Sequence, residues 1–185
     1  MKEIYLVTGN PGKLRELQAI FPSSLRLIAK ELDLDEIQSM DSEEIVRDKL
    51  ERAYALVKKP VIVEDVAAGL ACLNGLPGPF VKYFERHLGK GALYKLAQHA
   101  DDKSVSISCT MGYFDGSHMD IVRGEVHGTV VPPRGENGFG FDFVFVPDGE
   151  TRTSAEMSLA EKSQISHRAL AARELIALLR TSPKL

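Results

Sequence analysis

Residues 5–13, Tyr-Leu-Val-Thr-Gly-Asn-Pro-Gly-Lys, put the ingredients of an anion site at one corner of the chain. The apolar run Ile4 to Val7 stops at Thr8 and Gly9. Asn10 suits a helix cap, Pro11 a first helical turn, and Leu14, Leu17 and Phe21 then recur at helical spacing. A strand therefore ends in a tight turn and a helix begins, with Gly12 and Lys13 in its first turn. Free backbone N–H groups and the positive end of the helix dipole favour an anion there, and Lys13 adds a full charge. Phosphate is the natural guest, and the bland alternative is a solvated lysine on an ordinary strand–turn–helix. The loop is not a Walker A loop, because Leu14 stands where that motif needs Ser or Thr for magnesium. Any metal must be held by carboxylates elsewhere.

Glu64-Asp65 follow the wholly apolar run Val61-Ile62-Val63. Carboxylates at the end of a buried strand are costly unless paired or bound to metal, and α/β folds place ligands at strand ends. A Mg²⁺ site uses one or two carboxylates plus substrate phosphates, and the acidic stretch around Glu36 offers the second carboxylate. Surface ion pairs are the alternative. Near the C-terminus, Lys162 and Ser166-His167-Arg168 bracket the start of the last helix and suit a phosphate or the acceptor edge of a purine; a cap and solvated cations are the simpler reading. Phe139-Gly140-Phe141-Asp142 offers a ring on a glycine-rich loop for a base to stack on, unless the aromatics are core. Lys49 reads as a surface charge on a helix, Met157 and Leu159 as packing residues, and His87, His99, His118 and His127 have no evident role.

The elements that must position these groups alternate between helix and strand early and turn to strands later. Leu25–Ala29 reads as a second strand, followed by an acidic loop with Glu31, Asp33, Asp35 and Glu36. Asp41 and Glu44 fit a capping box opening a helix whose Val46, Leu50, Ala53 and Val57 share a face. The apolar run 61–63 predicts a strand ending at Glu64-Asp65, and the Ala-, Gly- and Pro-rich residues 66–79 a stiff loop. Short helices fill 80–99. Val105, Ile107, Cys109, Met111 and Tyr113 alternate with small polar residues, and Asp115-Gly116 turns that strand into a return strand reaching about Val131. A glycine-rich loop at 135–140, a strand at 141–146 and an amphipathic helix marked by Ile165, Ala169, Ala172, Ile176 and Leu179 complete the chain.

With 185 residues, 44% hydrophobic, the chain can bury a core, most simply as one domain over 1–185. A formal net charge of −3 argues against a nucleic-acid polymer as partner. Asn10–Gly12 interrupt the early apolar run, so no signal-peptide pattern is expected, and no stretch approaches the roughly 20 apolar residues of a membrane span. Cys72 and Cys109 are isolated, which suits reduced thiols and a cytoplasmic location.

Taken together, these pieces resemble the inosine triphosphate pyrophosphatase family, hydrolases of non-canonical purine nucleoside triphosphates, in the family's order from Val7 to Arg168. Thr8-Gly-Asn-Pro-Gly-Lys13 is similar to the family's TGNxxK phosphate loop. Glu36 sits where the family has a metal-binding glutamate, and Lys49 matches a helix lysine that reaches the triphosphate. Glu64-Asp65 matches an acidic pair whose second member is metal ligand and general base. Gly75-Leu-Pro-Gly-Pro79 is similar to the loop after that site, Phe139-Gly-Phe-Asp142 to the FG(W/Y)D base-binding segment, and Lys162 with Ser166-His-Arg168 to the K…SHR signature that reads the purine. Val66 replaces the hydroxyl residue that normally follows the catalytic aspartate, and Phe143 the proline after FG(W/Y)D.

The resemblance implies an α/β fold of two lobes around a long central mixed β-sheet, with the nucleotide in the cleft between them, and a homodimer. It implies Mg²⁺-dependent conversion of ITP, dITP or XTP to the monophosphate and pyrophosphate. Thr8, Gly9, Asn10, Pro11, Gly12, Lys13, Lys49 and Val66 would line the phosphate side, Glu36 and Asp65 hold Mg²⁺, and Asp65 activate water. Phe139, Gly140, Phe141, Asp142, Lys162, Ser166, His167 and Arg168 would take the base, with Arg168 donating to the six-oxygen. Two rivals stay open: a nucleotide sensor that lost turnover through Val66, and a related hydrolase of pyrimidine or methylated nucleotides.

Overall fold

The computed structural model describes residues 2–181. Seven strands and six α-helices follow one another: β1 (Lys2–Val7), α1 (Pro11–Gln18), β2 (Leu25–Lys30), α2 (Ser42–Val57), β3 (Val61–Leu70), β4 (Pro77–Gly78), α3 (Val81–Leu88), α4 (Ala92–Ala97), β5 (Ser104–Phe114), β6 (Met119–Val130), β7 (Phe145–Pro147), α5 (Leu159–Ile165) and α6 (His167–Thr181). The strands form one mixed sheet in the order β2-β1-β3-β5-β6-β7, with β4 paired to β3. β1 runs parallel to β2 and β3, whereas β4 and β7 pair antiparallel with β3 and β6. Among the described residues, no helix is long and apolar enough to cross a membrane.

The chain divides into two compact units. The first comprises residues 1–65, 109–124 and 168–185, the second 66–108 and 125–167. In the first, Val46, Leu50 and Ala53 of α2 pack with Val61 and Val63 of β3, as their shared helix face predicts. β5 approaches α2 closely at Gly112, where a Cβ would lie 2.6 Å from Leu50 Cδ1 and 2.7 Å from Val46 Cγ1. In the second unit, Ala68, Leu70, Val81, Leu93, Val105, Ile107, Phe141 and Phe145 form the core.

Four expectations need correction. β3 does not stop at Glu64-Asp65 but runs on to Leu70. Val66, Ala68 and Leu70 keep the two-residue period of a strand, and Ala68 and Leu70 are buried, although their small neighbours read as loop. The segment 141–146 opens as a 3₁₀ turn over Gly140–Phe143, so β7 starts only at Phe145. The last helix is two: Ser166 takes an extended conformation (ψ 151°) between α5 and α6. At the start of α2 there is no capping box. Asp41 accepts from the Glu43 N–H at 2.8 Å, while Glu44 accepts from the Ser39 hydroxyl at 2.7 Å.

The close approach at Gly112 sets where α2 lies on the sheet. Gly112→Ala should destabilise the protein by about 1–3 kcal/mol, read as a lower urea midpoint, because Leu50 and Val46 must move to admit the methyl group.

Candidate active site

The first unit concentrates the charged groups. Asn10 caps α1, its Oδ1 accepting from the Gly12 N–H at 2.8 Å, while the Asn10 N–H donates to Thr8 Oγ1 at 3.1 Å. Pro11 fills the first helical position, where its missing N–H costs nothing. This local chemistry turns Lys13 back toward β3, where Nζ lies 2.8 Å from Glu64 Oε1.

Glu64 is buried and meets three donors. Arg168 on α6 grips it with both arms, Nε to Oε2 at 2.9 Å and Nη2 to Oε1 at 3.0 Å, and the Cys109 thiol lies 3.6 Å from Oε2. The third guanidinium nitrogen of Arg168 bonds Glu16 on α1. Burial alone would raise the Glu64 pKa, but Arg168 and then Lys13 outweigh it and hold the carboxyl well below the usual carboxylate range. Burial pushes the Cys109 thiol well up, and the Glu64 charge adds to this, so the thiol stays a neutral donor. Arg168 stays charged despite burial because Glu64 and Glu16 flank it.

Consecutive strand residues point to opposite faces, so Asp65 turns away from this cluster and toward α2. Ser42 Oγ donates to its Oδ2 at 2.9 Å, and Lys49 Nζ lies 3.6 Å from its Oδ1 and also pairs with Glu36. Burial raises the Asp65 pKa above the ordinary value, with Lys49 opposing the shift first and Ser42 second. Glu36 and Asp65 thus converge on a single cation. Two hard oxygen donors brought together in this way fit the limited carboxylate share of a Mg²⁺ site. Among the described residues, no group of three or more His, Cys, Asp or Glu side chains is arranged to hold a metal by itself.

The second unit holds the other predicted residues. Asp142 Oδ2 accepts from the Phe139 N–H at 2.9 Å and from Lys162 Nζ at 2.6 Å, and that ammonium lies 5.1 Å from the Phe139 ring centroid. Gly138 adopts φ +87°, and a Cβ there would lie 2.3 Å from Asp142 Oδ2, so only glycine fits the turn. The loop is tied down by the Glu136 and Asn137 N–H groups, both donating to Ala155 O. Phe141 takes the core position that the sequence left open for these aromatics. It belongs to the apolar core and lies tilted against His167, ring centroids 5.6 Å apart, whereas Phe139 is half-exposed. Gly140 opens the 3₁₀ turn with φ +60°, and Ser166 caps α5 through its N–H to Lys162 O at 2.9 Å. Val66 packs against the core of this unit, and Phe143 is buried beneath Lys90, whose Nζ lies 4.2 Å from the ring centroid.

The model of the Ham1 family matches residues 4–178. The chain belongs to the Ham1 family. A Yarrowia lipolytica relative named inosine triphosphate pyrophosphatase is 45% identical over 175 residues, covering 93% of each chain. A Schizosaccharomyces pombe relative of the same name is 40% identical over 177 residues, covering 95% of this chain and 94% of its own. The Ham1 protein of Staphylococcus aureus superimposes with a TM-score of 0.82 at 29% identity, covering 97% of this chain and 98% of its own. A HAM1 protein from Coxiella burnetii gives 0.82 at 30% identity, covering 98% and 100%.

Within this Ham1 site, Arg168 departs most from expectation. Its guanidinium is buried and bonded to two carboxylates, so it braces Glu64. Sequence reasoning also missed Glu16 and Ser42. Each had a signal, since Glu16 lies three residues from Lys13 on α1 and Ser42 seven from Lys49 on α2, spacings that share a helix face.

The buried Glu64 pair makes stability acid-sensitive in a defined direction. Its depressed folded pKa adds stability that is fully present above the unfolded carboxyl value and is lost as pH falls through the folded value. Glu64→Gln should therefore destabilise the protein by about 3–5 kcal/mol at neutral pH, by leaving Arg168 and Lys13 under-compensated. In denaturant titrations the gap to wild type should narrow steadily below about pH 4.5.

Proposed function

We propose that this chain hydrolyses non-canonical purine nucleoside triphosphates, ITP, dITP and XTP, to the monophosphate and pyrophosphate. The observation that carries the reading is Asp65: a buried carboxylate, raised in pKa and held by Lys49 and Ser42 beside Glu36, in a chain whose relatives are named inosine triphosphate pyrophosphatases.

The residues divide the work. The loop Thr8 to Gly12 brings the positive end of the α1 dipole to the phosphates, and Lys13 and Lys49 supply cations, so the triphosphate charge is neutralised without covalent chemistry. Glu36 and Asp65 would hold Mg²⁺, which supplies charge neutralisation at the phosphates when bound. Asp65 accepts a proton from the attacking water. Water adds at the α-phosphorus as the α–β anhydride bond breaks, and pyrophosphate leaves with the bond's electron pair. The Phe139 ring stacks on the purine, and Lys162, steadied by Asp142, donates to the six-oxygen that inosine and xanthosine carry and adenine lacks. As the resemblance implies, the enzyme works as a homodimer in the cytoplasm, where its two free cysteines suit a reducing compartment.

Pyrophosphate release from ITP, XTP, GTP and ATP, with and without Mg²⁺, tests the reading. ITP and XTP should lead, turnover should vanish on chelation, and Asp65→Asn should cost about 10²-fold or more while the fold survives. Orthophosphate as first product, or equal turnover of ATP, would refute it.

Base and phosphate recognition separate by a second pair of variants. Lys162→Ala should narrow the ITP-to-ATP ratio of kcat/KM by about ten- to a hundredfold, the worth of a charged hydrogen bond. Lys13→Ala should lower both substrates alike.

A further inference from the structure

Ser42 and Lys49 lie seven residues apart on α2, two turns of helix and hence on one face. Both meet Asp65, and they divide its carboxylate: Ser42 Oγ donates to Oδ2 at 2.9 Å, and Lys49 Nζ lies 3.6 Å from Oδ1. Ser42 and Asp65 are each only 6% exposed, so solvent is a poor substitute for the hydroxyl. Ser42 is not needed as a helix cap, because Asp41 already holds that position and accepts from the Glu43 N–H. Nor does the strand provide its own hydroxyl beside the aspartate, since the next residue is Val66.

We propose that Ser42 is a positioning residue for hydrolysis, its hydroxyl tying down Oδ2 so that Oδ1 is the oxygen presented toward Lys49 and the reacting groups. A carboxylate at the end of two side-chain torsions rotates freely unless one oxygen is anchored, and a reacting group misplaced by an ångström loses much of its rate. One rigid helix supplies both the anchor and the cation, so the orientation of Asp65 and the placement of Lys49 are set together. Ser42 touches neither substrate nor metal in this account and acts only through Asp65. The inference rests on Asp65 being the catalytic carboxylate.

The test uses Ser42→Ala and Ser42→Thr in the full chain, with ITP as substrate and thermal melting alongside. Ser42→Ala should lower kcat about tenfold, in the range seen when partners of reacting carboxylates are removed, with KM for ITP little changed. The melting temperature should fall by only several degrees, the cost of one lost buried hydrogen bond, leaving the chain folded at the assay temperature. Ser42→Thr keeps the hydroxyl and should keep most of the activity. A double-mutant cycle supplies the reading that general loosening would not give: in the Asp65→Asn background, Ser42→Ala should cost nothing further, because there is no reactive carboxylate left to orient. Full activity of Ser42→Ala beside an inactive Asp65→Asn overturns the positioning role alone. The same factor lost in both backgrounds overturns it too, since Ser42 then acts elsewhere in the fold. Full activity of Asp65→Asn would instead remove the reading on which the role rests.

Discussion

A carboxylate in the interior of a strand must be matched by positive charge or it will not stay ionised, and Glu64 is that carboxylate. Arg168 matches it from α6 and Lys13 from α1, while Glu16 balances the second half of the guanidinium. Two anions and two cations thus close on one another in the first unit. An unmatched member would leave a buried charge, so each constrains the position of the other three. The arrangement fixes the register of α1 and α6 against β3. It also accounts for Lys13, which is only partly exposed and already oriented by Glu64.

The pleat of β3 converts this constraint into a division of labour. Glu64 and Asp65 are neighbours in sequence, yet side chains alternate across a strand, so they serve different helices. Glu64, pulled down by two cations, stays ionised at neutral pH and ties elements of the first unit together. Asp65 is pushed up by burial and only partly relieved by Lys49 and Ser42, which suits a group that must take a proton. Two carboxylates whose environments drive their pKa values apart have separate roles. In the second unit the equivalent economy belongs to Asp142, which fixes the Phe139 backbone and the Lys162 ammonium with one oxygen.

Much of the local structure was legible in the chain. Asn10 and Pro11 announce α1, and Val46, Leu50 and Ala53 announce the buried face of α2. The Asp115 turn was equally plain, and its side chain accepts from the Ser117 and His118 N–H groups. Each of these signals acts between residues a few positions apart. The continuation of β3 was obscured because Ala67, Ala68 and Gly69 carry little side chain, so the strand period rests on three residues. The break at Ser166 was masked by apolar positions that keep a helical rhythm on both sides of it.

The sequence by itself determined which residues carry charge and where many of the helices and strands lie, and it singled out Lys13, Glu36, Asp65 and Lys49 as candidates for the chemistry. Tertiary structure alone decided their partners. Arg168 lies 104 residues from Glu64 and 152 from Glu16, and Ser42 lies 23 from Asp65. No local rule links positions so far apart. Whether a cation greets a ligand or neutralises a buried carboxylate depends on which anion the fold places beside it in low dielectric. That is why Arg168, whose surroundings no local pattern reveals, stands in the fold as the counterion that keeps Glu64 charged.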